Sequence, residues 1–99
     1  MKSYKRIGSI QKACAILKFL GSSKEPVSAP DIAKAVDLAV GTACCHLATL
    51  EDAGFAQRIG DRWEIGMASA LAWARKKSSL EGRRMLIESQ LKELEAGNV

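Results

Sequence analysis

Apolar residues recur at helical spacing early in the chain. Between residues 10 and 20 they stand three or four positions apart, which is the period of one helix face. The residues that share this face are Ile10, Ala13, Cys14, Leu17 and Leu20, with Ile16 and Phe19 beside it. Ser9 directly precedes the pattern, and a serine there can accept a hydrogen bond from a free amide of the first turn. The pattern therefore predicts a first helix capped by Ser9.

Helix-start signals follow a turn-rich connector at residues 21–26. Ser28 can cap the helix, Pro30 is tolerated in the first turn because its missing N–H has no partner there, and Asp31 suits the positive end. Val27 and Ile32 are spaced as the two ends of a hydrophobic staple. We therefore predict a second, short helix that closes at residues 37–38.

A third helix is predicted from Ala39 or Val40 up to Gly54, because glycine can adopt positive φ after a last helical turn. The 3.6-residue period divides it into two faces. The inward face comprises Val40, Ala43, Cys44, Leu47 and Leu50, and the outward face comprises Gly41, Thr42, Cys45, His46, Thr49 and Asp52.

Two strand-like runs follow, at residues 55–59 and 62–65, joined by Gly60 and Asp61. A two-residue connection of this composition is typical of a tight β-hairpin. Helix, turn, helix and hairpin in this order indicate a mostly α winged helix-turn-helix, with a three-helix core and a β-hairpin wing. We assign residues 1–66 to this domain.

Residues 67–99 are expected to form linker and C-terminal helices. Residues 67–77 are rich in helix formers, and Ser78 with Glu81 has the spacing of a capping box, which predicts a new helix or a bend at that point. Beyond it, Leu80, Ile87, Leu91 and Leu94 line up at helical spacing, with Leu86 on their flank. This stripe either pairs with a second subunit or folds back onto its own core.

Length and charge limit the possible functions. A chain of 99 residues with a net charge of +4 supports one small core and permits a polyanionic partner. Positive charge lies on an N-terminal arm of Lys2, Lys5 and Arg6 and around the wing, whereas residues 37–54 contain three acidic residues and no basic one. The sequence has no secretion signal and no run of about 20 apolar residues that could cross a bilayer, so we expect a cytoplasmic protein without membrane contact.

The sequence contains no motif that indicates catalysis or metal binding. Cys44, Cys45 and His46 are consecutive, and neighbouring helix positions point about 100° apart, so they cannot close one tetrahedral zinc site. Three cysteines, two of them adjacent, indicate reduced thiols rather than a disulfide framework. With one histidine, no nucleophile elbow and no phosphate loop, we expect neither an enzyme nor a cofactor, and no metal site.

The order and spacing of several residues resemble the N-terminal DNA-binding domain of IclR-type transcriptional regulators. The matching positions are Ser9 to Ala13, Leu17, Leu20, Ile32, Ala33, Leu38, Thr42, Leu47, Leu50, Gly54, Phe55 and Trp63 to Gly66. The family commonly has Arg where Cys45 stands and an aliphatic residue where His46 stands. The resemblance implies a homodimer paired through the first helix and the helix after the wing. The family's effector-binding domain is not matched, so no small-molecule effector is implied.

Side chains on the outward face of a helix in the major groove contact base edges, while basic residues elsewhere contact phosphates. The predicted DNA-contacting residues are Gly41, Thr42, Cys45, His46 and Thr49 on the third helix, Arg58 and Arg62 on the wing, and Lys5 and Arg6 on the arm, with Lys12 and Lys34 as further phosphate candidates.

We expect sequence-dependent binding of double-stranded DNA by a homodimer, in transcriptional control or an allied DNA transaction such as those of mobile elements. The alternative is a winged helix that serves as a protein-interaction or assembly module, because fold does not fix function. The absence of basic residues from 37 to 54 favours the alternative, and the basic wing and arm favour DNA.

Overall fold

The computed structural model describes residues 3–97. Met1, Lys2, Asn98 and Val99 lie outside this range, and with them the predicted contribution of Lys2 to the basic arm. The elements are α1 (Gly8–Ser22), β1 (Val27–Ser28), α2 (Ala29–Val36), α3 (Val40–Asp52), β2 (Ala56–Ile59), β3 (Arg62–Ile65) and α4 (Met67–Gly97). By internal contacts the chain divides into a first unit, Met1–Ser69, and a second unit, Ala70–Val99.

The helix-turn-helix consists of α2 and α3, which meet at a 103° bend across a three-residue turn. As predicted, Ser28 caps α2, and its Oγ accepts a hydrogen bond from the Asp31 amide at 3.4 Å. The turn begins at Asp37, which adopts the left-handed conformation with φ 56°. The amides of Asp37 and Leu38 donate to the carbonyls of Lys34 and Ala33, so the last carbonyls of α2 are satisfied inside the turn.

A small core holds these helices to the wing. Its largest fully buried side chains, Ile16, Ile32 and Leu47, come one each from α1, α2 and α3. The other buried apolar residues are Leu20, Ala33, Val36, Ala43, Ala56 and Trp63. Since so few side chains carry the hydrophobic term, truncating any of the three large ones to alanine is expected to cost about 2–5 kcal/mol.

The sheet has three antiparallel strands in the order β1-β3-β2, which confirms the predicted hairpin but adds a strand. Ile59 pairs with Arg62, so Gly60 and Asp61 form a two-residue connection. Gly60 has φ 63°, at the loop position where a type II′ turn requires glycine. We did not predict β1 because its two residues are too few to show a strand period. It pairs Val27 with Trp63 and Ser28 with Arg62.

The predicted burial of α1 and α3 is partly wrong. The residue that precedes α1 is Ile7, which makes no side-chain cap, and Ser9 lies inside the helix. The buried positions of α1 are Ile16 and Leu20, whereas Ile10 and Cys14 are exposed. Apolar residues cover more than half of the circumference of α1, so its sequence period alone does not determine which arc meets the core.

In α3, Ala43 and Leu47 are buried as predicted, but Val40 and Cys44 are exposed. At about 100° per residue, both lie on the same side of Ala43 around the helix. The inward face of α3 is therefore narrower than its sequence period indicated.

The chain from Met67 to Gly97 is one continuous helix, so a separate new helix at Ser78 is wrong, and the alternative of a bend within one helix stays a prediction. Its residues are good helix formers on both sides of Ser78, and propagation is favoured over a second costly nucleation. None of the residues described in α4 is buried. Within residues 3–97, no single helix is long and apolar enough to cross a membrane, and α2 with α3 meets those criteria only as a bent pair.

Two glycines bring three elements together at one corner of the first unit. Gly54, with φ 79°, ends α3, and the amides of Gly54 and Phe55 donate to the carbonyls of Glu51 and Leu50 at 3.0 and 2.9 Å. The Gly54 carbonyl accepts from the Ala68 amide at 3.0 Å, and the Gly66 amide donates to the Phe55 carbonyl at 2.9 Å. A Cβ on Gly66 would collide with the Gly54 carbonyl oxygen.

This corner predicts that Gly66→Ala destabilises the protein. The clash is with backbone, which cannot move aside, so the loss should reach about 1–3 kcal/mol, as for overpacking in a core. Thermal or urea unfolding measures it. The matched control is Gly82→Ala in α4, where an added Cβ meets open space, and it should stabilise by up to about 1 kcal/mol. Equal effects of the two substitutions would contradict the tight approach at Gly66.

Candidate nucleic-acid interface

The exposed face of α3 carries the residues that we predicted to lie outward, with one exception. Gly41, Thr42, Cys45 and Thr49 are all exposed. The Thr49 hydroxyl donates to the Cys45 carbonyl at 2.9 Å, which uses its proton within the helix and leaves its oxygen as an acceptor. Apart from Asp52 in the last turn, the face is uncharged and lined by small side chains, which allows the close approach of another surface.

His46 is the exception. It is only partly exposed, and its Nδ1 lies 2.9 Å from the Thr42 carbonyl. A carbonyl can only accept, so Nδ1 carries the proton and Nε2 is the acceptor. Nε2 is buried without a hydrogen-bond partner among the described residues. His46 is therefore less exposed than the rest of the predicted outward face, on the side where the start of α1 lines the same cavity.

An open cavity of about 340 Å³ separates the start of α1 from the middle of α3. It is lined by Ser9, Ile10, Ala13, Cys45, His46, Thr49 and Leu50. Lys5 and Arg6 lie just before α1 and are exposed. The start of α1 and the exposed face of α3, which are far apart in sequence, thus line the same cavity.

Gly41 and Thr42 were predicted site residues, but the backbone amides at the N-terminus of α3 were not predicted as phosphate contacts. Ala39 precedes the helix, no side chain of the described residues caps it, and its first turn has no acidic residue. The free amides and the positive end of the helix dipole at Val40, Gly41 and Thr42 are suited to a phosphate. The sequence signal was a helix start without a Ser, Thr, Asp or Asn, in contrast to the capped start of α2.

Both wing arginines have defined contacts. The Arg58 guanidinium lies 4.6 Å from the centre of the Trp63 ring, and its Nε is 3.9 Å from a carboxylate oxygen of Glu51 at the end of α3. Arg62 donates to the Pro26 carbonyl at 3.4 Å. Each contact restricts the side chain but leaves further N–H groups of the guanidinium for a phosphate. The Arg58 contact also links the wing to α3.

Lys12 makes a structural contact with the end of α2. Its Nζ donates to the Val36 carbonyl at 2.7 Å and lies 3.4 Å from the Asp37 carbonyl, at the C-terminal end of α2. A cation there satisfies orphan carbonyls and complements the negative end of the helix dipole. The phosphate contact suggested for Lys12 stays a prediction. Lys34 is exposed on α2.

The cysteines are free and exposed, at positions 14, 44 and 45. In the part of the chain from residue 3 to residue 97, no group of three or more histidine, cysteine or acidic side chains is arranged to hold a metal ion.

Comparison with known proteins agrees with this architecture. The sequence pattern of the IclR helix-turn-helix domain matches residues 9–60, just over half of the chain. A similar fold occurs in the crystal structure of a candidate transcriptional regulator from Rhodococcus sp. RHA1, with a TM-score of 0.56 and 23% sequence identity. That match covers 61% of this chain and 24% of the other, so the chain spans about a quarter of that protein's length. Among curated proteins, none matches the sequence.

Proposed function

Because the chain belongs to the IclR helix-turn-helix domain family, we propose that it binds double-stranded DNA in a sequence-dependent manner, as a homodimer, in transcriptional control or an allied DNA transaction. The observation that carries this proposal is the exposed face of α3. It begins at an uncapped, acid-free helix N-terminus and ends beside Arg58 of the wing. A helix presented in this way fits a major groove, with phosphates on either side of it.

In this proposal, affinity and specificity come from different residues. Phosphates would be contacted by Arg58 and Arg62, by Lys5 and Arg6 of the arm, and by the first-turn amides of α3. Base edges would meet Gly41, Thr42, Cys45 and Thr49. Since α3 has no Arg or Lys, it cannot make the bidentate contact with guanine that supplies most strong direct readout. Discrimination between sequences should therefore be modest.

We propose the same division of labour along the chain: residues 1–66 contact DNA, and residues 67–99 pair two subunits. The apolar side chains of Leu80, Ile87, Leu91 and Leu94 are all about half exposed or more, which is unusual for four large residues on one helix. In proteins most of the stability of a helix comes from packing of its apolar face, and a partner would stabilise α4 by covering these side chains.

A second candidate function keeps the fold as a protein-assembly module. The observation that favours it is the acidic end of α3, where Glu51 lies beside Arg58 and partly neutralises it. A winged helix that met a protein rather than DNA would not need free phosphate contacts. Salt-dependent DNA binding distinguishes the two functions.

Removing both wing arginines, by Arg58→Ala with Arg62→Ala, should weaken binding to specific and random duplexes alike. Each lost phosphate contact lowers the slope of log affinity against log salt by about one unit, so the slope should fall by about two. Mobility-shift titrations at several salt concentrations measure it. The control removes two charges elsewhere, by Arg75→Ala with Lys92→Ala in α4, and should leave the slope unchanged.

Cys45→Arg adds a cation to the exposed face of α3 and should tighten binding to any duplex if that face meets DNA. If the wing double variant binds like the wild-type protein and Cys45→Arg gains nothing, the assembly module is the better function.

Thr42 is the exposed hydroxyl nearest the start of α3, and Thr42→Val removes that hydroxyl while keeping the side-chain shape. We expect a changed ranking of preferred sequences and little change in average affinity, because a base contact is lost and no phosphate contact is. Selection from random duplexes, followed by sequencing, measures the ranking. The control is His46→Leu, which alters the partly buried side of the helix and should preserve the ranking. A uniform loss over all sequences for Thr42→Val would contradict base reading.

Dimerisation predicts twice the chain mass in sedimentation experiments. Ile87→Glu should shift the protein toward monomer, because it places a carboxylate on the apolar stripe that the second subunit would cover. Ser89→Glu adds the same charge on the opposite side of the helix and should have little effect. A wild-type protein that stays monomeric at about 10–100 micromolar, where weak association becomes visible, would contradict the prediction.

A further inference from the structure

Large apolar side chains repeat every seven residues along α4. They are Trp73, Leu80, Ile87 and Leu94, and each is about half exposed or more. A seven-residue repeat drifts by only about 20° per heptad on a helix, and a partner helix can follow it in a left-handed supercoil. We call these four residues the d positions. The corresponding a positions are Ala70, Lys77, Arg84 and Leu91.

Charges on the two flanks of this seam have opposite signs. One flank, the e positions, carries Glu81, Glu88 and Glu95, and the other flank, the g positions, carries Lys76, Arg83 and Gln90. In a parallel pair each g residue meets the e residue five positions further along the partner, so Lys76 meets Glu81 and Arg83 meets Glu88. In an antiparallel pair e meets e and g meets g, which brings like charges together.

We propose that α4 pairs with α4 of a second copy of this chain as a parallel, two-stranded coiled coil in this register. The inference rests on the homodimer proposed above and adds its orientation, its register and the residues that select both. The charge complementarity of the flanks favours a second copy, because one α4 supplies both halves of each ion pair.

The two charged a positions fit this arrangement at a cost in stability. The Nζ of Lys77 and the Nε of Arg84 each lie 3.9 Å from a carboxylate oxygen one turn further on, of Glu81 and of Glu88. Their long stems can cover the seam while the charged groups stay at its edge, beside those carboxylates. Polar a residues of this kind fix register and strand number but weaken the pair. The coiled coil is thus specified but weak.

A parallel pair has a consequence for DNA. The two copies of Met67, where the wing leads into α4, lie at the same end of the coiled coil. The two winged helices are then connected to the same end of the coiled coil. A dimer that reads two related half-sites requires this arrangement.

Charge reversal on one flank tests the orientation. Glu81→Lys with Glu88→Lys turns four attractive interchain pairs into repulsive ones, so the dissociation constant from sedimentation equilibrium should rise roughly tenfold to a hundredfold. Adding Lys76→Glu and Arg83→Glu exchanges the two flanks and should restore most of the affinity. The exchange does not restore the contacts within one helix, so recovery reports the pairs between chains. In an antiparallel dimer the first variant replaces one set of like charges by another, and an unchanged constant would overturn the proposal.

Crosslinking tests the register independently. With Cys14, Cys44 and Cys45 replaced by Ser, Leu94→Cys should form an interchain disulfide on mild oxidation, because a d residue faces its own copy in a parallel pair. Ser89→Cys lies on the outer side of the helix and should not. Equal crosslinking of both variants would overturn the register.

The same samples separate this proposal from the proposed function. If the protein is a dimer that binds DNA, but charge reversal does not change its dissociation constant and Leu94→Cys does not crosslink, the parallel coiled coil is overturned and DNA binding is not. Dimers that respond as expected but show no salt-dependent DNA binding support the coiled coil and contradict DNA binding. A wild-type monomer overturns the coiled coil, whatever its DNA affinity.

Discussion

The close approach of two backbone segments, at Gly54 and Gly66, sets the geometry on which the rest of the first unit depends. The end of α3, the end of β3 and the start of α4 meet there through hydrogen bonds between backbone groups, and no side chain separates them. This fixes the wing relative to α3 and allows Arg58 to lie over Trp63 and beside Glu51. The position of the wing charges relative to the exposed face of α3 therefore depends on this close backbone approach, which only glycine at residue 66 allows.

Most of the fold could be predicted from sequence because its helix ends and turns are formed by residues that are close in sequence. Ser28 caps its own helix, Gly54 ends one, and Gly60 permits its own turn. The misses involve tertiary contacts. β1 forms because Val27 pairs with Trp63, which is distant in sequence. Which arc of α1 is buried depends on the elements that pack against it. The capping-box spacing at Ser78 was overridden because both flanks of that residue favour helix, so continuing one helix avoids two new ends.

The candidate site divides in the same way. Exposure of Gly41, Thr42, Cys45 and Thr49 follows from the helical period, and the sequence predicted it. The surroundings of His46 and Lys12 were not predicted because they come from other elements: the start of α1 lies across a cavity from His46, and the Lys12 ammonium donates to a carbonyl at the end of α2. The uncapped start of α3 could have been found from sequence, since the absence of a capping residue is itself a local signal.

Each proposed contact with DNA is weak, so the overall affinity would depend on the dimer. A reading helix without Arg or Lys, with the wing and the arm for phosphates, predicts low affinity for one half-site. Two copies joined in one coiled coil make the second contact intramolecular, which can raise overall affinity by about a hundredfold or more without a new contact. The charged a positions Lys77 and Arg84 weaken that coiled coil, so copies would join only as their concentration rises. DNA occupancy would then depend on concentration more steeply than for a permanent dimer, because assembly and DNA binding are linked through the same α4 pairing.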